Sequence, residues 1–179
     1  MVAIATTVPI VFAGVSDPVT PGIVGSLARP GGNINGVTFG IDGVGFGGKW
    51  VELLKEAVPG VAHVAVLSNS ADPQAAPLVQ DIQAAAQKLK VKPDVLDAGN
   101  TLNLDRAFAA ISASDAQGII VTNSPFFAAS RTKLVRFAAS RRLPTIYFFK
   151  LFVEAGGLMS YGGSLEESYR KAATYVDRS

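Results

Sequence analysis

Residues 61–97 read VAHVAVLSNSADPQAAPLVQDIQAAAQKLKVKPDVLD, and this stretch decides the fold. HVAVLSNS is an unbroken apolar run that stops at a polar turn, the pattern of a strand buried on both faces. Asp72-Pro73 then opens a segment carrying Leu78, Ile82, Ala85 and Leu89 on one helical face. PDVLDAG follows as a second strand ended by glycine. Strands joined by a helix-length connection run parallel, because a tight hairpin links only antiparallel ones. The unit is strand–helix–strand, and the rest of the chain repeats it.

Upstream, VPIVFAG (8–14) reads as a strand, and in TPGIVGSLA Thr20 resembles an N-cap ahead of Pro21 at the first helical position. NINGVT reads as a short strand released by Gly31-Gly32, which end the preceding helical patch with a left-handed residue. GKWVELLKEAVPG places Trp50, Leu53, Leu54 and Ala57 on one face of a helix stopped by Pro-Gly. Downstream, NLDRAFAAISA is a helix on Leu104, Ala107, Phe108 and Ile111, and GIIVTNSP is a strand. An arginine-bearing helix to about Arg142, the strand LPTIYFF, the short helix FVEAGG and the strand LMSYG come next. SLEESYRKAATYV closes the chain, with a Ser164-x-x-Glu167 capping box and Leu165, Tyr169, Ala172 and Val176 facing inward. The fold class is α/β, a three-layer parallel sheet with Rossmann-like lobes. The order Pro-strand, helix, Gly-Gly, short strand, helix occurs twice, around PGGNINGVT and AGGLMSYG, as two similar lobes would give.

Composition narrows the chemistry. Of 179 residues, 49% are hydrophobic and 17% charged, which supports a buried core and not a disordered chain. Sixteen basic against 14 acidic residues give a net charge of +2, too weak a bias for nucleic acid. Arg131, Lys133, Arg136, Arg141 and Arg142 form the densest basic run and read as a solvated helix face opposite Leu134, Phe137 and Ala138. Without cysteine there is no disulfide and no thiol nucleophile, and the single His63 cannot build a multi-histidine metal site. No metal and no cofactor is expected. No apolar run reaches the roughly 18 residues that span a bilayer. MVAIATTVPIVFAG lacks a basic n-region and a cleavage site, so it reads as a strand and not as a signal peptide.

Motifs for catalysis are weak. In DGVGFGGKW (42–50), Gly43, Gly45 and Gly48 fit the dinucleotide fingerprint, with Asp72 at a tolerable distance for a ribose-binding acid. That pattern is the alternative reading, a Rossmann-type dinucleotide-binding enzyme. The same residues approach a phosphate loop, but Trp50 stands where Mg²⁺ needs a hydroxyl. Ser68, Ser70 and Ser124 sit at strand ends without a nucleophile elbow or an imidazole partner. What remains is a set of small polar and aromatic residues after the strands, where open α/β sheets collect ligands. Ser16, Asp17, Asn69, Ser70, Asn123, Ser124 and Phe148 make up this candidate ligand-binding set, which offers hydrogen bonds and stacking without a reaction centre.

Together the runs PIVFAGVSDPV, GIVGSLARPGGNINGVT, KWVELLKEAVPG, VAVLSNSADPQ, LPTIYFFKLFVEAGGLMSYG and YRKAATYVD resemble the substrate-binding proteins of ABC importers, in particular the TrpX-like family with the type I periplasmic-binding-protein fold. The resemblance implies a non-enzymatic solute-binding component with two α/β lobes around a cleft. It implies a small polar ligand, with aromatic amino acids favoured, delivered to ABC permease membrane subunits. It implies a periplasmic or cell-surface anchored protein. On that pattern residues 1–37 are a remnant of lobe one with a crossing strand, 38–156 are lobe two, and 157–179 are the return crossing strand and the start of a lobe-one helix. Gly32, Asn33, Asn35, Gly36, Ser160 and Tyr161 then fall at the hinge. The family's export signal and first strand–helix units are not in this sequence, so lobe one is expected to be partial and to favour a homodimer through its exposed remnant. A LacI-like regulator shares the fold but needs an upstream helix-turn-helix, which this sequence does not contain.

Overall fold

The computed structural model describes residues 8–15, 18–19, 22–26, 32–39 and 46–176. The chain divides into two compact units, one formed by Met1–Gly43 with Gly163–Ser179 and the other by Val44–Gly162. Unit 1 begins with β1 (Ile10–Val15), which pairs in parallel with β2 (Ile34–Thr38), so Phe12 lies opposite Gly36. Asn33 and Gly36 are built into this pair: the Asn33 carbonyl accepts from Ile10 N, and Gly36 lets the Phe12 backbone and ring approach closely. Gly32 is not left-handed, contrary to the sequence reading, and Gly31 lies outside the described residues. Residues 22–26 are turns and bends and not the expected helix, with Gly22 N bonded to Val19 O and Ile23 N to Pro18 O; Thr20 and Pro21 lie outside the described residues.

Unit 2 holds the sheet that the opening stretch foretold. α1 (Phe46–Ala57) leads to β3 (His63–Ser68), α2 (Ala75–Lys88), β4 (Lys92–Asp97), α3 (Thr101–Ala113) and β5 (Ile119–Val121). α4 (Pro125–Ala129), α5 (Arg131–Arg141), β6 (Thr145–Tyr147), α6 (Leu151–Glu154) and β7 (Met159–Ser160) complete it. All five strands are parallel, in the order β4-β3-β5-β6-β7. β3 is central and every one of its residues is buried, as its apolar run requires. β4 is an edge strand, which is where a strand tolerates Pro93. Trp50, Val51 and Leu54 of α1, Ile82 of α2, and Leu104, Ala107 and Ile111 of α3 supply the helical side of the core.

Helix ends follow local chemistry. Asn100 caps α3 by accepting from Asn103 N, and Ser124 caps α4 by accepting from Phe126 N with Pro125 at the first helical position. α6 ends in a full Schellman motif, with Gly157 N on Phe152 O, Gly156 N on Val153 O, and Gly156 left-handed at φ 98°. The glycine stop read in FVEAGG is therefore real. α2 and α5 end the same way on residues that resist this conformation, Lys90 at φ 56° and Arg142 at φ 54°.

In unit 1 the last helix, α7 (Leu165–Val176), packs on β1 and β2. Its inward face is Ser168 and Ala172, whereas Tyr169 and Val176, expected inside, are 62% and 60% exposed. Small residues let the helix lie close to the strands, and the aromatic position turns outward. Ser164 Oγ accepts from Glu167 N, but the Glu167 carboxylate pairs with Lys171 and does not reach back to close the capping box.

The one histidine has a structural task. His63, 6% exposed at the start of β3, places Nε2 2.7 Å from Asp94 of β4 and Nδ1 2.5 Å from Asp115 in the α3–β5 connection. The hydrogen bond from His63 is the largest cause holding both carboxyls below the usual aspartate range; for Asp94, Lys92 adds to it. A depressed carboxyl contributes stability above its unfolded pKa, about 3.9, and loses it as pH falls through the folded value. We expect His63→Leu to destabilise the protein at pH 6. The gap to the parent, followed by urea unfolding, should then narrow steadily as pH is lowered below about 4.

Candidate functional site

The strand order reverses beside β3. The chain goes from β3 to β4 on one flank and returns past β3 to β5 on the other, which leaves the β3 and β5 carboxyl ends side by side with no crossover above them. Asn69 and Ser124 stand just beyond these two ends. Asn69 Nδ2 donates to Ser124 Oγ at 3.2 Å, and Asn69 Oδ1 accepts from Ala71 N at 3.2 Å. Below them Thr122 seals the strand pair, with both its N–H and its hydroxyl on Leu67 O. The two candidate residues are thus joined, although 55 positions separate them.

The neighbouring strand end adds charge. Asp97, last residue of β4, accepts from Ser70 N at 3.0 Å and from Asn103 Nδ2 at 2.5 Å. The Ser70 backbone bond is the largest cause holding its carboxyl below the ordinary range, so it is ionised at neutral pH. Gly99 supplies the remaining constraint, since a Cβ there would overlap Asn69 Oδ1. Asp97, Gly99 and Thr122 were not singled out as site residues by the sequence reading. Their signal lies in register, because Asp97 pairs opposite Ser68 and so ends level with β3.

The remaining candidates fall as follows. Ser70 is exposed and Asn123 half-buried beside Ser124. Phe148 is 4% exposed, its ring edge-on to Phe46 at 5.3 Å, Trp50 at 6.1 Å and Phe149 at 4.7 Å. Ser16 and Asp17 lie outside the described residues. Of the expected hinge residues, Asn35 Oδ1 accepts from Gly36 N, and Ser160 pairs with Tyr147 in register. Tyr161 N donates to Tyr147 O, its ring meets Phe46 at 5.9 Å, and its carbonyl accepts from the Trp50 indole at 2.6 Å. The first and last segments of unit 2 are therefore tied to each other through Phe46, Trp50 and Tyr161.

The glycine-rich approach to α1 does not offer its helix start to phosphate. Gly48 N, a first-turn donor that an anion would need, is taken by Asp81 Oδ2 at 3.1 Å, which also places negative charge there. Lys49 pairs with Glu52, and Asp72 closes a turn by accepting from Gln74 N. Gly43 and Gly45 lie outside the described residues. The dinucleotide alternative is not favoured.

The geometry defines a class of protein, an α/β ligand-binding fold whose polar groups meet at the carboxyl edge of a parallel sheet. Residues 1–178 match the family described as ABC transporter substrate binding protein, and the chain belongs to that family. It is similar to a tyrosine-binding protein of Clostridioides difficile, 32% identical over 83 residues, which cover 45% of this chain and 22% of that protein. Among solved structures, a conserved domain protein from Vibrio cholerae superposes with a TM-score of 0.82 at 25% identity, covering 97% of this chain and 57% of that one. An ABC domain in complex with L-Trp from Streptococcus pneumonia gives 0.74 at 24% identity, covering 87% of this chain and 52% of that one, and shows the shared fold. The chain thus spans about half the length of these solved relatives. The fold is of the type I periplasmic-binding-protein kind. Among the described residues no helix is long and apolar enough to cross a membrane.

The single tryptophan makes the tie within unit 2 measurable. Trp50→Phe removes the indole bond to Tyr161 O and leaves space in a fully buried site. We expect a loss of roughly 1–3 kcal/mol in urea unfolding. A loss below about 0.5 kcal/mol would show that the bond is not holding the two segments together.

Proposed function

We propose that the protein is a solute-binding component of an ABC importer that, in the periplasm or anchored at the cell surface, captures a small zwitterionic ligand and hands it to ABC permease membrane subunits. The observation that carries this reading is the Asn69–Ser124 bond across the strand-order reversal. It presents a fixed amide and hydroxyl pair at the place where open α/β sheets bind ligands. Asp97, ionised and one strand away, gives a ligand ammonium group its counter-charge. The likeness to a tyrosine-binding protein supports an amino acid, with aromatic side chains favoured. Nothing in this arrangement requires the ligand to react, in keeping with a binding and transport family.

In this reading unit 2 is the second lobe. Asn69, Ser70, Asn123 and Ser124 touch the ligand, and Ser16 and Asp17 belong to the proposed set on the family pattern. Phe148 backs the site from within the aromatic cluster. Gly32, Asn33, Asn35, Gly36, Ser160 and Tyr161 are the hinge positions of this reading. Pairing of two chains through the lobe-one strands belongs to the same reading, and light scattering decides it.

Isothermal titration with L-tryptophan, L-tyrosine, L-phenylalanine and L-leucine, with NADH as control, tests the reading. We expect saturable heat from at least one amino acid and none from NADH. Asn69→Ala should weaken binding roughly tenfold or more. Gly99→Ala should weaken it also, although it deletes no polar group, by displacing the Asn69 side chain. No binding by any amino acid, or binding indifferent to Asn69→Ala, overturns the proposal.

A further inference from the structure

Unit 2 carries a recess that shares no residue with the Asn69–Ser124 site. It is a groove of about 300 Å³ bounded by the end of α5, by β6 and by the α6–β7 turn. Val135, Ala138, Leu143 and Leu158 give it apolar walls. Its volume lies at the small end of the roughly 300–1,000 Å³ typical of small-molecule sites.

Two polar features of the groove lack partners among the described residues. Tyr147, which also lines it, is 1% exposed, and its hydroxyl is buried without a hydrogen-bond partner. The ring is stacked on Phe152 at 4.5 Å, which holds the phenol oxygen in place. Thr145, whose hydroxyl donates to Leu143 O, is the polar side chain beside it but does not meet hydrogen-bond geometry with it. Burial pushes the phenol up to about 12, against a smaller opposing effect of Thr145, so it stays a donor. An unmade hydrogen bond at a buried hydroxyl costs about 1–3 kcal/mol, which an incoming acceptor would recover.

The second feature is Arg142, exposed at the rim, with no acidic partner among the described residues. It follows Arg131, Lys133, Arg136 and Arg141 on a helix without an acidic residue, where Lys133 pairs with Asp105 and Arg131 donates to Ala128 O. The rim is thus electropositive, the walls are apolar, and the buried group is a donor.

We propose that this groove binds a medium-chain aliphatic monocarboxylate, its tail along Val135, Ala138 and Leu143 and its carboxylate answered by Arg142 and the Tyr147 hydroxyl. Leu158, 61% exposed, is the outer wall of the groove. The site is independent of amino-acid capture at the strand ends, so either can fail without the other.

The test is amide NMR of the isotope-labelled protein titrated with sodium octanoate, alongside octanol and octylammonium chloride. Octanoate should give saturable shifts confined to residues 135–145 and 156–158, with octanol roughly tenfold weaker and octylammonium inert. Arg142→Gly removes the guanidinium where glycine accepts φ 54° better than arginine does, so the fold is kept or strengthened. It should weaken octanoate roughly tenfold. Tyr147→Phe should weaken it roughly threefold or more, and Ala139→Trp, at the mouth, should block it. Equal binding of octanol and octanoate, parent-like affinity in either the Arg142 or the Tyr147 variant, or shifts centred elsewhere overturns the assignment.

Discussion

Everything in unit 2 depends on the reversal of strand order beside β3. A parallel sheet needs a crossover for each added strand, and each crossover covers one face. Where successive crossovers go to opposite flanks, the strand ends between them are left uncovered. Asn69 and Ser124 are there because β3 and β5 end there. Their hydrogen bond is a consequence of topology before it is a feature of any ligand site. Thr122 beneath them and Gly99 beside them make sense only in that frame, one closing the strand pair and the other clearing space for an amide.

The same sheet determines how the unit is closed on itself. The first helix and the last strand are distant in sequence, yet Trp50 reaches Tyr161 and Phe46 packs on its ring. Phe148, after β6, fills the space between them. A buried indole must find an acceptor, and a backbone carbonyl at the end of β7 is the one this topology supplies. The aromatic cluster is therefore a structural joint as well as a backing for the strand ends.

Much of this was legible in the sequence, for identifiable reasons. HVAVLSNS and GIIVTNSP are apolar enough to be buried strands in any α/β arrangement, and the polar residues that end them fall at the carboxyl edge of the sheet by periodicity alone. FVEAGG announced its glycine stop because only glycine readily takes the left-handed turn seen at Gly156. The same argument failed at Gly32, which sits in a bend ahead of β2 without a left-handed φ. It was silent at Lys90 and Arg142, where tertiary packing imposes the turn on residues that resist it. α7 misled because its aromatic stripe matched the helical period, whereas close packing on β1 and β2 selected Ser168 and Ala172. The pairing of Asn69 with Ser124, and the use of Asp81 to occupy the Gly48 N–H, depend on which strands and helices become neighbours. Local pattern carries no such information.

Pro93 gives the sheet a direction in which it cannot grow. Lys92 N bonds inward to Ala62 O and Ala98 N to Ser68 O, so along β4 the even-numbered amides face β3 and the odd-numbered ones face out. Proline therefore removes a donor from the open side while leaving the ladder to β3 intact. A strand arriving at that flank would find amide donors at Val95 and Asp97 only, with charged Lys92 and Asp94 beside the gap. For a protein that presents a long buried sheet, this flank is protected against polymerisation by a single imino acid placed at the correct parity.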